Sequence, residues 1–330
     1  DARVVIPDNA TLGLAVSFAD LSNITANTTI VISDVDGATF QGTFNEAQGI
    51  TLEGDEGQVG DEVFSIISTT SLPASIVLDG VNLTALAGQL DGLTVTGGSS
   101  VTVLSLSVVP DADLSGIADN LPVTIELGTD TAIFTGEIGG VDLTVNSQPS
   151  EGLDVTGATT FEASSVTVGN SVTLTLNGSQ LTGTTITGPG SVNLVGDVAA
   201  ADVTPLLAAD PALAGIVLTD ATSLTGSAAD LVDVLDDVTL DSGTDINITA
   251  TSAASVDQAE QLADATNGTV SLNIQDDLTD VLAAAAQTTA DAKNGLAVAG
   301  TVTVDDLDAA DEQVSFDNDQ AAMAATTIDF

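Results

Sequence analysis

The chain has 330 residues, of which 48 are acidic and two are basic, and its formal net charge is −46. It contains no Cys, His, Trp or Tyr, so Ser-His-Asp and Cys-His catalytic sites and His- or Cys-ligated zinc sites are excluded. A charge this negative repels nucleic acid and anionic lipid. The partners that we expect for this chain are therefore cations.

Despite the charge, 43% of the residues are apolar, which distinguishes the chain from a disordered acidic tail. The first residue is Asp1, so we expect a processed N-terminus from which a signal peptide has been removed. The scarcity of basic, sulfur-containing and large aromatic residues indicates bulk export, with adaptation to high salt as the alternative. No stretch reaches the ~18–20 apolar residues of a membrane span. We therefore expect a secreted, extracellular or cell-surface protein without membrane insertion.

Residues 1–80 lack the pattern that follows them and are predicted to be an N-terminal β unit or cap. From there on the template h-x-x-h-h-x-x-h recurs, where h is apolar, and this spacing places the apolar side chains on one face of a two-turn helix. Copies lie at 83–90, 114–121, 203–210, 231–238, 259–266 and 278–285. Their intervals predict a repeat of 28–31 residues. Ser255 and Gln258 are predicted to form a capping box.

Short stretches of alternating Val, Leu or Ile with Thr predict half-buried strands. They follow predicted helices at 93–96, 123–127, 216–219 and 270–274, and recur without helices at 166–168, 172–176, 184–187 and 192–195. The sequence therefore predicts a mainly β fold, a β-solenoid-like repeat over 81–304 with short helices on some coils, followed by an acidic C-terminal cap over 305–330. Tandem β-sandwich domains are the alternative, because strands every ~8–12 residues suit that class as well.

The order of helix and strand resembles that of secreted bacterial repeat proteins, namely surface-layer proteins and large adhesins exported with repeats-in-toxin proteins. The residues that carry the resemblance are 230–240, 257–274 and 277–304, so it lies chiefly within 201–304. It implies a structural or adhesive role outside the cell. The Gly-Asp nonapeptides of calcium-binding toxin repeats are absent, so a calcium-filled repeat roll is not implied.

Clustered carboxylates are the strongest candidates for a binding site. Calcium takes about six to eight oxygen ligands, which acidic loops supply from carboxylates and backbone carbonyl groups. We predict that Ca²⁺ or another divalent cation binds at Asp34 and Asp36, and at Asp305, Asp306 and Asp308.

Both ends of the sequence are apolar and strand-like. Ile6 and Phe18 near the N-terminus, and Ile328 and Phe330 at the C-terminus, are predicted to become buried when edge strands of two copies pair. The predicted function is a self-assembling extracellular structural protein, a subunit of a surface layer, sheath or filament, rather than an enzyme. Its main partner would be a second copy of itself. A fragment of a large secreted adhesin, acting as a binding module, is the alternative.

Overall fold

A computed structural model of the chain describes residues 2–5, 20–23, 30–33, 39–40, 42–44, 49–54, 62–67, 72–128, 131–146, 151–209, 211–240, 245–277, 280–281, 299–305 and 327–329. The chain divides into two compact units. Unit 1 comprises residues 1–175 and 183–191, and unit 2 comprises residues 176–182 and 192–330. Parallel sheets dominate the described residues, so the predicted mainly β class is confirmed.

Unit 1 consists of short strands separated by turns. In chain order the strands are β1 (Ala2–Val5), β2 (Ile30–Ser33), β3 (Gly49–Glu53), β4 (Glu62–Ser65), β5 (Ser75–Asp79), β6 (Val81–Leu86), β7 (Thr94–Gly97), β8 (Val101–Leu104), β9 (Val123–Glu126), β10 (Ala132–Ile133), β11 (Glu137–Ile138), β12 (Asp142–Asn146), β13 (Gly152–Asp154), β14 (Thr160–Phe161), β15 (Ser165–Val168), β16 (Thr173–Asn177, whose last two residues belong to unit 2) and β17 (Thr185–Thr187). A one-turn helix α1 (Ala87–Leu90) follows β6, and a 3-10 turn (Leu106–Val108) follows β8.

These strands form ladders in which each strand pairs with the corresponding strand of the next turn of the chain. The strand orders are β1-β2-β3-β5-β7, β4-β6-β8-β9-β12-β15-β17, β10-β13-β16 and β11-β14. Every strand pair with a described register is parallel. The alternative of tandem β-sandwiches requires antiparallel pairing, which none of these described pairs shows. Strands on both sides of residue 80 pair directly, β4 with β6 and β5 with β7.

In the sheet from β4 to β17, residues that face the interior stack on one another. The paired positions Leu83, Val101, Val123, Leu143, Val166 and Ile186 form a continuous aliphatic column, and none is more than 2% exposed. The neighbouring position, which faces outward, is threonine in every one of these strands: Thr84, Thr102, Thr124, Thr144, Thr167 and Thr187. Period-two alternation therefore sets both the core and the threonine column, and adjacent threonines support the sheet by cross-strand contact.

Aromatic packing is concentrated early in unit 1. Phe40, Phe44 and Phe64 are each 1% exposed, and their ring centroids lie 4.3 Å (Phe40–Phe44) and 6.4 Å (Phe40–Phe64) apart. Such pairs contribute about 0.5–1.5 kcal/mol beyond the burial of their area. Three of the eight phenylalanines of the chain therefore form part of the core within the predicted N-terminal unit.

Unit 2 alternates strands with longer helices. In chain order its elements are α2 (Gly178–Leu181), β18 (Ser191–Ala199), α3 (Ala200–Leu207), β19 (Gly215–Gly226), α4 (Ala228–Asp237), β20 (Thr239–Leu240), β21 (Asn247–Ala250), α5 (Val256–Ala265), β22 (Val270–Asp277), β23 (Ala299–Asp305) and β24 (Thr327–Asp329). The strand order is β18-β19-β21-β22-β23-β24, and β20 also pairs with β19. Helix α4 packs between α3 and α5, so its apolar face, which includes Leu231 and Val234, is fully buried.

Side-chain caps explain where several helices begin. The predicted capping box is confirmed: Ser255 N donates to Gln258 Oε1 at 3.0 Å, and Gln258 N donates to Ser255 Oγ at 3.2 Å. The one-turn helix α1 uses the glutamine half of this arrangement, since Leu86 N donates to Gln89 Oε1. In each case a Gln three residues into the turn accepts a backbone donor that would otherwise lack a partner.

The helix template is correct in unit 2 and wrong in unit 1. Helices α3, α4 and α5 cover the predicted copies that start at 203, 231 and 259. The copy at 83–90 is instead the end of strand β6 followed by α1, because Val81, Leu83 and Ala85 alternate toward the core. The copy at 114–121 consists of turns with a single bridge from Ile117 to Val95. Apolar residues at these spacings also fit a strand that turns a corner.

The predicted repeat of 28–31 residues is also wrong. Paired residues in neighbouring strands are separated by 18 to 28 residues, for example 22 between Val101 and Val123 and 20 between Val123 and Leu143. The prediction counted helices, which most turns of unit 1 lack. Residues 128–200, predicted to be without helices, include the one-turn helix α2.

Strand β19 contains a residue whose backbone is left-handed. Asp220 has a φ of 54°, and Gly196 in β18 has a φ of 72°. The two corners are neighbours, because Asp197 Oδ1 accepts hydrogen bonds from the hydroxyl groups of Thr222 and Ser223. Glycine adopts this conformation freely, Asp tolerates it, and β-branched residues do not.

We expect Asp220→Val to lower the free energy of unfolding by about 1–2 kcal/mol, although the site is exposed and valine favours strands. The control Asp220→Gly should be neutral or stabilising, since it removes the same carboxylate while relieving the backbone. Urea denaturation followed by circular dichroism measures both. A valine variant as stable as the glycine variant would contradict the assignment of this corner.

Candidate cation site

The structure describes only part of the predicted cation site. Asp34, Asp36, Asp306 and Asp308 lie outside the described residues, and Asp305 is the last residue of β23. Of the predicted assembly residues, Ile6, Phe18 and Phe330 lie outside the described residues, whereas Ile328 is in β24 with its backbone in register with Val302.

A cluster of three aspartates lies where β22 ends. One carboxylate oxygen from each of Asp276, Asp277 and Asp280 lies within 4.8 Å of the other two. Asp276 is half-buried, and the other two are exposed. Oxygen atoms at this separation can share one hard cation, with water completing the coordination. We call these three residues the aspartate cluster.

Backbone hydrogen bonds hold the cluster in place. Val256 N, in the first turn of α5, donates to Asp276 Oδ2 at 2.9 Å, and Asp277 N donates to Asp276 Oδ1 at 2.9 Å. Asp280 N donates to Asp277 Oδ1 at 3.0 Å. The carboxylate of Asp276 thus lies at the positive end of the α5 dipole, while Asp277 and Asp280 have no comparable positive partner described nearby.

Mutual repulsion is evident in the titration of the cluster. The pKa of Asp280 is raised from its ordinary value, chiefly by the negative charge of Asp277, then by desolvation and by the charges of Asp276 and Asp257. Since the folded pKa is raised, ionisation of Asp280 weakens the fold as the pH increases through that pKa. A bound cation would reverse this effect, because an opposite charge favours the ionised form.

Asp305 belongs to the same edge of the sheet. Its backbone is in register with that of Asp277, across the parallel pair of β22 and β23. Sequence reasoning identified Asp305 but missed the aspartate cluster, which is separated from it by more than 20 residues and became its neighbour only through strand pairing. The signal in the sequence was Asp-Asp-x-x-Asp at the junction of a predicted strand and a predicted helix.

Other carboxylates have structural hydrogen bonds. Hydrogen bonds from Ser22 lower the pKa of Asp20, and hydrogen bonds from Ser223 and Thr222 lower the pKa of Asp197. The same Asp-x-Ser/Thr turn recurs at Asp113 with Ser115 and at Asp154 with Thr156. These acids stabilise local turns, so acidity alone does not mark a cation site.

Comparisons with known proteins give no match to a protein-family model, a curated protein or a solved structure. The resemblance to secreted repeat proteins therefore stays a prediction. In the described part of the chain, no helix combines the length and the apolar character needed to span a membrane.

We expect Ca²⁺ to raise the melting temperature more than NaCl at matched ionic strength does, because a ligand that prefers the folded form stabilises it. In Asp277→Asn/Asp280→Asn this extra shift should largely disappear, while the exposed control Asp264→Asn should retain it. The shift should also disappear as the pH falls through the raised pKa of Asp280, since protonation removes a ligand. Differential scanning calorimetry measures it. Equal shifts from both salts would contradict a specific site.

Proposed function

We propose that this chain is a self-assembling extracellular structural protein whose assembly depends on divalent cations, and that the strands and short helices of each unit wind as a β-solenoid. The observation that carries the proposal is the run of parallel ladders, one strand per 18–28 residues, over a continuous aliphatic column. Each turn of such a chain contacts its neighbours, so the ladder can continue wherever an unpaired edge remains.

The outermost strands support assembly through edges. Among the described strands, β1 is the last on its side of the sheet β1-β2-β3-β5-β7, and β24 is the last after β23. A strand at such a position presents unpaired backbone donors and acceptors to a second chain. Parallel addition of one copy to the other would pair these edges and bury the predicted assembly residues Ile6, Phe18, Ile328 and Phe330.

Charge accounts for the proposed dependence on cations. Each copy carries a formal charge of −46, so two copies repel strongly unless counter-ions lie close to the interface. The aspartate cluster and the in-register Asp305 lie on strands β22 and β23, next to the outermost strand β24. Cations bound there would reduce repulsion beside the proposed contact.

The test is multi-angle light scattering and negative-stain microscopy of the purified chain, with Ca²⁺ and with NaCl at equal ionic strength. Growth to filaments or sheets in Ca²⁺ alone is expected. A monomer in Ca²⁺ at high protein concentration would overturn self-assembly and would favour the alternative, a binding module from a large secreted adhesin.

A further inference from the structure

A groove lies between helices α3 and α4 in unit 2. It has a volume of about 410 Å³ and is lined by Thr204, Leu207 and Ala208 on one side and by Asp233, Asp236 and Asp237 on the other. Leu207 is half-buried and the three aspartates are exposed. The groove thus combines an aliphatic wall with an acidic wall, in a volume within the ~300–1,000 Å³ range of small-molecule sites.

The acidic wall is at the unfavourable end of its helix. Asp236 and Asp237 are in the last turn of α4, and this turn contains no basic residue. A helix C-terminus carries a partial negative charge and is stabilised by cations, so two carboxylates there, with Asp233 one turn earlier, weaken the helix. Local charge that opposes the fold in this way is typical of functional positions.

The arrangement fits an organic cation better than a metal ion. Among the described residues, only the aspartate cluster brings three carboxylates within reach of one ion, and the groove is not such a group. Its carboxylates are spread along one wall opposite aliphatic atoms. Distributed charge beside apolar surface matches a chain of methylene groups that carries several ammonium groups.

The cation has to come from another molecule. The sequence has only two basic residues, Arg3 and Lys293, against 48 acidic ones. We propose that the groove between α3 and α4 binds a linear polyamine, with its ammonium groups against Asp233, Asp236 and Asp237 and its methylene groups against Leu207 and Ala208. This site is independent of self-assembly and of the aspartate cluster.

Isothermal titration calorimetry with spermidine, at ~0.15 M ionic strength to screen long-range attraction, tests the proposal. One site per chain is expected. In Asp233→Asn/Asp236→Asn/Asp237→Asn the dissociation constant should rise at least about tenfold. The matched variant Asp111→Asn/Asp119→Asn/Asp245→Asn removes the same charge from exposed positions elsewhere and should stay within about twofold of the intact chain.

Three other outcomes would overturn the proposal. Equal weakening in both triple variants would show attraction by the overall field of the protein. Displacement of spermidine by Ca²⁺ at matched ionic strength would show a metal or diffuse site. Tighter binding of pentalysine than of spermidine, through the same three aspartates, would identify a basic protein segment as the partner.

Melting without ligand provides an independent readout. Because neutral side chains remove the conflict with the helix dipole, the groove variant should melt at a higher temperature than the intact chain. A lower melting temperature would contradict the electrostatic basis of the site.

Discussion

Replacing Gly97 by alanine is expected to destabilise the protein by about 3 kcal/mol or more. Gly97 ends strand β7 with a φ of 127°, a conformation that residues with a side chain rarely adopt. A Cβ atom at this position would also overlap the backbone carbonyl oxygen of Leu78 on the paired strand. In addition, Asn120 Nδ2 donates to Gly97 O at 2.7 Å, so a shift of this residue disturbs the next turn of the chain.

The next residue provides a matched control. A Cβ atom at Gly98 would meet nothing within 4 Å, and its φ is not positive. Its backbone N–H donates to Leu78 O, and alanine preserves this bond. Gly98→Ala should therefore change the free energy of unfolding by less than about 0.5 kcal/mol. Urea denaturation of both variants decides the matter, and similar losses in the two would contradict the close approach of β7 to β5.

Removal of the terminal strands is expected to abolish growth of the assembly. Deletion of residues 326–330 removes β24, and deletion of residues 1–18 removes β1, so each variant keeps one of the two proposed edges. In Ca²⁺, light scattering should show that neither variant alone extends beyond small species, whereas the intact chain grows. A head-to-tail contact that does not close requires both edges on every copy.

Mixing the two truncated variants gives the sharper test. Each supplies the edge that the other lacks, so an equimolar mixture should form a heterodimer and grow no further. Circular dichroism of each variant alone controls for folding. Continued polymer growth from either single variant would mean that the terminal strands are not the contact, and assembly would then have to use another surface.

Much of the local structure follows from the sequence, but the pairing of strands does not. Helix α5 was predicted because Ala259, Leu262 and Ala263 share one face and Ser255 caps its start. Strands were predicted because valine and threonine alternate, as in β9 and β15. Alternation is the same in parallel and antiparallel strands, so neither the parallel ladders nor the 18–28-residue spacing was visible in the pattern.

The site was predicted less well, for a related reason. With 48 acidic residues, carboxylates lie close together in sequence almost everywhere. What distinguishes Asp277 and Asp280 is that pairing of β22 with β23 and the N-terminus of α5 fix their surroundings. Such groupings depend on register, and register depends on which strands meet. The acidic wall on α4 was likewise visible as composition but not as one side of a groove.

The order of strands β4-β6-β8-β9-β12-β15-β17 has a consequence for how this sheet changes over evolution. Each strand pairs with the strands one turn before and after it, and the same aliphatic and threonine positions recur on every turn. A tandem duplication of one whole turn would insert a strand whose Val and Thr match those of both new neighbours. The sheet can thus lengthen or shorten by whole turns without any change of partners elsewhere, whereas loss of a single residue within a strand reverses which side chains face the core.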